Sequence, residues 1–369
     1  MSEMILWGGI FVVGIAVFGT AMFFLIRKVS KFGIFQKLGA NKKWRSFWIA
    51  AIAVVVVLLL LGLLLRGLNA AIVILHVLLL WLIGDLINIL LKKKFKEGHI
   101  FIGSVIVSSL YLLVGFYLCF TVVQKNYSFD TPKDVGSIRV VQFADSHLGT
   151  TFDGEGLNQY VDEINECHPD VVLITGDFVD DGTSREDMIA GCEALGRLET
   201  TYGVFYSFGN HDKGYSDASS RGFSGDDLVS ELERNGVTVL EDEAVLIDNR
   251  FYVVGRQDRS EESRGGSRMS ADELISGLDD TKYIIVMDHQ PNDYDAESQT
   301  AADLVLSGHT HGGQMLPING VGEWIGANDA TYGLCNINGT DFIVTSGISD
   351  WEVYFKTGCR SEFVVIDIE

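Results

Sequence analysis

Residues Ile138–His147 read IRVVQFADSH, a run of β-branched and aromatic residues that stops at an aspartate with a histidine two positions on. The run Ile138–Ala144 predicts a buried strand, and Asp145 stands where it ends. The same event recurs along the chain. Val171–Thr175 delivers Gly176-Asp177, and Gly203–Phe208 presents Gly209-Asn210-His211-Asp212. Tyr283–Met287 leads to Asp288-His289, and Leu304–Leu306 leads to Gly308-His309-Thr310-His311. Between these runs, Leu157, Tyr160, Val161 and Ile164 recur at helical spacing, as do Met188, Cys192, Leu195 and Leu198. The runs Val237–Leu240, Ala244–Ile247 and Phe251–Val254 suggest a meander, and Phe342–Thr345 and Glu362–Ile368 add strands. Strands alternating with helices predict an α/β domain of two packed mixed sheets flanked by helices, α/β/β/α. Each motif then falls at the carboxyl end of a strand, where open α/β sheets gather their ligands.

The chain has eight histidines, and five of them (147, 211, 289, 309 and 311) lie in these motifs. Neutral imidazole, carboxylate and one amide oxygen together suit a pair of divalent cations. Two such ions close together promote displacement at phosphorus. Any one motif is weak, because Asp-x-His or Gly-Asp alone usually marks a turn or a cap. Five in order, each after a strand, point to one shared site.

The first 124 residues are of another kind. They hold twelve Lys/Arg and three Asp/Glu, a balance of +9, whereas the remainder holds sixteen and forty-six, a balance of −30. Four apolar runs, Met4–Ile26, Phe47–Leu65, Ala70–Leu91 and Ile100–Val123, reach or approach the ~20 residues needed to cross a bilayer as a helix. Residues 1–124 therefore predict a membrane domain with four transmembrane helices, followed by a linker over 125–136 and the α/β domain over 137–369. The connections after the first and third runs carry seven and four Lys/Arg, whereas the second connection carries only Arg66. The positive-inside rule places those two basic loops in the cytoplasm and the acidic domain outside the cell membrane. Asp85, His76 and Asn88 are too few to build a pathway and read as helix-to-helix or interfacial contacts. Cys335 and Cys359 could pair in an oxidising compartment, but spacing alone does not establish a disulfide. The Arg256–Arg268 stretch reads equally as a lid for anionic groups or as a solvated loop. Trp324, Trp351, Tyr354 and Phe355 read as core, with a pocket mouth or a membrane-facing surface as the alternatives.

The order D-x-H, G-D-x-x-D, G-N-H-D, H and G-H-x-H resembles the calcineurin-like metallophosphoesterase superfamily, over about Ile138–Glu369. The G-H-T-H-G-G-Q of Gly308–Gln314 is similar to the form in a bacterial membrane-anchored subgroup. The resemblance implies that Asp145, His147 and His311 bind one metal, that Asn210, His289 and His309 bind the other, and that Asp177 bridges them. It implies Mn²⁺ first, with Zn²⁺, Fe²⁺ or Ni²⁺ as alternatives, and a metal-bridging hydroxide as nucleophile. His211 then protonates the leaving oxygen or hydrogen-bonds to the phosphate, with Asp212 orienting its ring. Asp180 supports the site from behind the ligands. The protein serine/threonine phosphatases of the superfamily carry an arginine where Asp181 stands, and the purple acid phosphatases a tyrosine where Asp180 stands. Those departures disfavour a phosphoprotein substrate and an iron–tyrosinate centre.

The implied function is a metal-dependent phosphoric ester hydrolase acting on a phosphodiester, phosphomonoester or pyrophosphate. Its expected substrates are phosphorylated small molecules or lipid-linked groups of the cell envelope, with membrane lipids as partners. A nuclease is disfavoured by the −30 charge, which repels polyanions. An inactive metal-binding sensor or scaffold would be expected to have lost a ligand, and none is missing.

Overall fold

The computed structural model describes residues 2–216 and 218–369, with side chains from residue 12 onward. The chain divides into two compact units, Met1–Val114 and Gly115–Glu369. In the first, the helices Ser2–Val29, Lys43–Leu65, Gly67–Leu90 and Glu97–Phe120 are long and apolar enough to cross a membrane. The last of these runs on into the second unit. A short helix, Gly33–Leu38, lies between the first two. Leu25, Val54, Ile74, Leu78 and Trp81 are buried among the helices. Asp85, expected as a bland contact, pairs with the Lys28 ammonium, which also lies over the Trp81 ring. Asn88 accepts from the Phe95 amide and donates to the Phe95 carbonyl, which closes the basic turn between them.

Among the described residues, the second unit holds twelve strands. They are β1 (Val123–Phe129), β2 (Ile138–Phe143), β3 (Val171–Thr175), β4 (Val204–Ser207), β5 (Val237–Val239), β6 (Glu243–Ile247), β7 (Phe251–Gly255), β8 (Tyr283–Met287), β9 (Leu304–Ser307), β10 (Gly333–Ile337), β11 (Thr340–Val344) and β12 (Glu362–Ile368). One sheet has the order β1-β12-β2-β3-β4-β5 and the other β10-β11-β9-β8-β7-β6. Both are mixed, since β12–β2, β10–β11 and β6–β7 are antiparallel and the other pairs parallel.

Period-two alternation builds the layers. In β3, Val171 and Leu173 face the core between the sheets, while Val172 and Ile174 face the helices Leu157–Asn165, Arg185–Leu195 and Gly225–Arg234. In β8, Tyr283, Ile285 and Met287 enter the same central core, while Ile284 and Val286 face Leu274, Ile275 and Tyr294. A strand apolar on both faces belongs to a sheet covered on both sides. The α/β/β/α architecture is therefore the expected one.

Two expectations are corrected. Residues 125–136 do not form a simple linker, because β1 occupies Val123–Phe129 and pairs in parallel with all seven residues of β12. Its alternating Tyr127 and Phe129 pack on the central core, a pattern obscured by the polar residues between them. Val237–Ile247 does not continue as a meander either. β5 pairs in parallel with β4 in the first sheet, and only β6 and β7 form a hairpin. The amphipathic helix Gly225–Arg234 before β5 supplies the crossover that a parallel partner needs.

Candidate metal centre

The seven candidate ligands sit on five loops that leave the carboxyl ends of β2, β3, β4, β8 and β9. Asp145, His147 and His311 each offer a ligand atom within 4.8 Å of the others, and Asp177, His289 and His309 do the same. Asp177 stands between the groups. Its Oδ2 lies 3.6 Å from His147 Nε2 and 3.1 Å from His289 Nε2, one histidine from each. The His147–His311 and His289–His309 ring centroids are 5.2 and 5.3 Å apart.

Backbone conformation marks the same positions. Asp145, His147, Asp177, His309 and His311 all have positive φ, between 37° and 71°. A non-glycine residue there costs ~1 kcal/mol or more, so five among seven is a concentration of strain held by its surroundings. The motif glycines let the strained loops touch. A Cβ on Gly209 would lie 2.3 Å from Asp177 Oδ1 and 2.4 Å from the Asp177 amide. One on Gly308 would meet Asp145 Oδ2 at 2.7 Å. Gly-Asp, Gly-Asn-His and Gly-His-x-His thus require glycine because each is pressed against another motif loop, by its backbone at Gly176 and Gly209 and by the Ala144 and Asp145 side chains at Gly308.

Further contacts fix the direction of each ligand. His289 Nδ1 donates to the Thr175 carbonyl at 2.7 Å, which leaves the Nε2 lone pair for the site. Asn210 Nδ2 donates to the Tyr215 hydroxyl at 2.7 Å, which fixes its amide. His147 Nδ1 is 3.4 Å from Asp180 Oδ2, in line with the supporting place expected for Asp180. His311 Nδ1 is 3.7 Å from Asp350 Oδ1, and Gln314 Nε2 donates to Asp350 Oδ2 at 2.6 Å. His147 Nε2, His289 Nε2 and Asn210 Oδ1 are buried and have no hydrogen-bond partner. Such atoms are costly to bury unless something binds them. Imidazole nitrogen, carboxylate and amide oxygen on two adjoining groups fit a pair of divalent cations.

Burial opposes ionisation of Asp177, but the imidazoles of His289, His211 and His147 outweigh it and hold the carboxyl well below its usual range. Burial, assisted by the His147 and Lys356 charges, keeps His311 well below an ordinary imidazole, and burial with His289 brings His309 down to about 4. His309 and His311 are thus neutral, the ligating form. Burial opposes protonation of His289 and His147, but Asp177 raises His289 well above an ordinary imidazole and Asp180 raises His147 above one. A bound cation would displace those protons. Burial, with the Asp177 charge adding to it, pushes Asp145 up to about 6.

His211 stands beside the two groups, between the rings of His147, Tyr215 and Trp351 at 5.1, 5.1 and 5.2 Å. Burial lowers its pKa, against the pull of Asp177. Asp212 does not orient that ring. Its carboxylate accepts the backbone N–H groups of Asp177, Phe178, Val179 and Gly209 at 2.6–3.1 Å, and so binds two motif loops together. The chain turns tightly after His211, and the buried Asp212 side chain points back at four otherwise unpaired donors. Asp181, at the place of the phosphatase arginine, accepts from the Tyr215 and Ser216 amides and holds the same loop.

The Arg256–Arg268 stretch is neither a free lid nor simply solvated. Arg256 and Arg268 are buried against Asp288 and Asp293. Arg264 donates to the carbonyls of Asn210 and Gly214 and lies over the Tyr215 ring. Phe355 is core, whereas Trp351 is 45% exposed and lines the site beside His211. All five cysteines are free. Sequence reasoning missed Asp350 and Lys356. Asp350 lies six residues past the end of β11, whereas Asp145 lies two past β2, so no strand-end spacing marked it. Lys356 is fully buried and donates to the Ser346 and Ser349 carbonyls at 2.6 and 2.7 Å, which pins the Asp350 loop.

A family profile described as calcineurin-like phosphoesterase matches residues 138–313. An uncharacterized metallophosphoesterase of Aquifex aeolicus is 34% identical over 197 residues, spanning 52% of this chain and 70% of that protein. The chain belongs to the calcineurin-like phosphoesterase family. Its His and Asp groups are those of a metallophosphoesterase. An uncharacterized metallophosphoesterase of Campylobacter jejuni is 25% identical over 304 residues, 79% of this chain and 77% of that protein. A transmembrane protein with metallophosphoesterase domain from Danio rerio is 29% identical over 253 residues, 64% of this chain and 54% of its own length. The match thus spans about half of that relative.

Proposed function

We propose that this family member is a membrane-anchored, dinuclear phosphoesterase of the bacterial membrane-anchored subgroup. It would cleave a phosphodiester, phosphomonoester or pyrophosphate on a lipid-linked or cell-envelope substrate. The single observation that carries the reading is the Asp177 carboxylate, placed against a histidine of each ligand group. Asp145, His147 and His311 would hold one cation, Asn210, His289 and His309 the other, with Asp177 shared between them. Bound there, two divalent ions, Mn²⁺ first among them, would lower the pKa of water and offset charge on the phosphoryl oxygens. His211 donates to the leaving oxygen, and its rim of Tyr215 and Trp351 orients the ring toward the substrate. The loop pinned by Asp212, Asp181 and Arg264 keeps His211 in register with the ligands. No arginine from the Asp181 position reaches the phosphate, which favours small or lipid-linked substrates over phosphoproteins.

Four apolar helices supply the anchor, and the zebrafish relative's description combines the same two parts. The basic loops favour a phosphoesterase domain outside the cytoplasm. Protease added to intact cells should digest the domain, and full protection would reverse that orientation. Catalysis is tested with the full chain, Mn²⁺ and bis-(p-nitrophenyl) phosphate. His211→Ala should lower turnover by roughly 10²–10⁴ with metal content unchanged. No wild-type turnover with any divalent ion would favour an inactive sensor, and loss of metal in the variant would make His211 a ligand.

A further inference from the structure

Between the first two long helices, the membrane unit carries a cavity of ≈740 Å³ lined by Phe23, Arg27, Ser30, Lys31, Gln36, Lys43, Trp44, Phe47 and Trp48. Its lining is split by chemistry. Arg27, Lys31 and Lys43 bring three cations, while Phe23, Phe47 and Trp48 form a continuous aromatic wall with ring centroids 5.9 and 5.7 Å apart. Trp44 and Trp48 are 62% and 61% exposed, so the wall opens outward from the unit.

What decides the case is the count of anions. Residues 1–114 hold three carboxylates, Glu3, Asp85 and Glu97. Two of them are taken by one lysine, because Lys28 Nζ pairs with Asp85 and lies 3.6 Å from Glu97. Glu3 stands 24 residues before Arg27 in the helix Ser2–Val29, about 36 Å away at 1.5 Å per residue. Among the described residues, none of Arg27, Lys31 and Lys43 has an ion-pair partner. Among its described residues, the membrane unit has no free anion to give this cavity. Three unmatched cations on one concave surface at the end of a membrane-spanning helix attract an anion, and the aromatic wall beside them suits hydrocarbon rather than water.

We propose that this cavity binds a phosphate ester, and that its aromatic wall selects the headgroup of an anionic phospholipid over a free phosphate. The arginine takes phosphoryl oxygens through its fork and the two lysines add point charges. The glycerol and the first acyl carbons lie along Phe23, Phe47 and Trp48. The site is independent of the metal centre and of the proposed reaction.

The test is lipid retention by the full chain in detergent, with equal phosphatidylglycerol and phosphatidylcholine offered and bound lipid counted by native mass spectrometry. Wild type should retain phosphatidylglycerol at least tenfold over phosphatidylcholine, and millimolar inorganic phosphate should leave that ratio unchanged. Each of Arg27→Gln, Lys31→Gln and Lys43→Gln should weaken retention about fivefold, the attraction of one basic side chain to an anionic lipid surface. Lys92→Gln with Lys94→Gln, in the other basic loop, should leave it unchanged and so separates this cavity from general positive charge. Turnover of bis-(p-nitrophenyl) phosphate by every variant reports that the chain is folded. Equal retention of the two lipids, equal loss in the Lys92/Lys94 variant, or displacement by inorganic phosphate would each overturn the proposal.

Discussion

Asp212 holds the amides of Asp177, Phe178, Val179 and Gly209 with one fully buried carboxylate. Hydrogen bonds to a charged group are worth ~1.5–3 kcal/mol each and do not simply add. Asp212→Asn keeps the shape but turns an NH₂ toward N–H donors. It should lower unfolding stability by about 3 kcal/mol and reduce bound metal together with turnover. Thermal denaturation and elemental analysis check this, and a variant that keeps both stability and metal would return Asp212 to an orienting role for His211. At this scale the motifs named the candidate ligands, because a ligand's chemistry is its residue type. They did not name what each ligand leans on. The Thr175 carbonyl behind His289 and the Asp350 carboxylate beside His311 belong to ordinary sequence, and only the fold brings them there.

At the scale of elements, strands were readable because burial on both faces left unbroken apolar runs, as in Val171–Thr175. β1 and β5 were not, for opposite reasons. β1 hides two inward residues among polar ones, and β5 is only three residues long, too short for periodicity to choose its partner. The pairing of β1 has a measurable consequence. A chain begun at residue 131 should leave β12 with an open edge and be recovered largely insoluble, whereas one begun at residue 115 should fold as a soluble or detergent-stable domain. Equal solubility would show β1 to be dispensable. Loop crossings are equally specific. Gly209→Ala drives a Cβ against the Asp177 backbone, and overpacking of that kind costs ~1–3 kcal/mol and should displace metal. Gly236→Ala, at φ +80° with nothing within 4 Å, should cost only the ~1 kcal/mol of its left-handed backbone and keep full metal. Equal metal loss in both would disprove the crossing argument.

Across the whole molecule, charge is divided unevenly along the chain, +9 up to residue 124 and −30 beyond. That split announced two units, although the boundary lies at Val114 because the end of the fourth span is packed into the second. Within the membrane unit, Asp85→Ala should strip Lys28 of its nearer carboxylate, leaving Glu97 at 3.6 Å. Losing half of a buried pair costs ~3–5 kcal/mol. Asp85 is 32% exposed, so about 2 kcal/mol is expected in detergent unfolding, and Lys28→Ala with Asp85→Ala should recover most of it. No recovery would show that the pair is not coupled. The central claim concerns the other unit, where five strand ends bring together seven side chains, Asp177 and six others. Metal per chain, measured by elemental analysis after reconstitution with Mn²⁺, tests it most directly. The account predicts two ions in the wild type and a fall toward none in Asp177→Asn, whose one carboxylate faces both groups. Two ions retained in that variant, or none in the wild type, would contradict it.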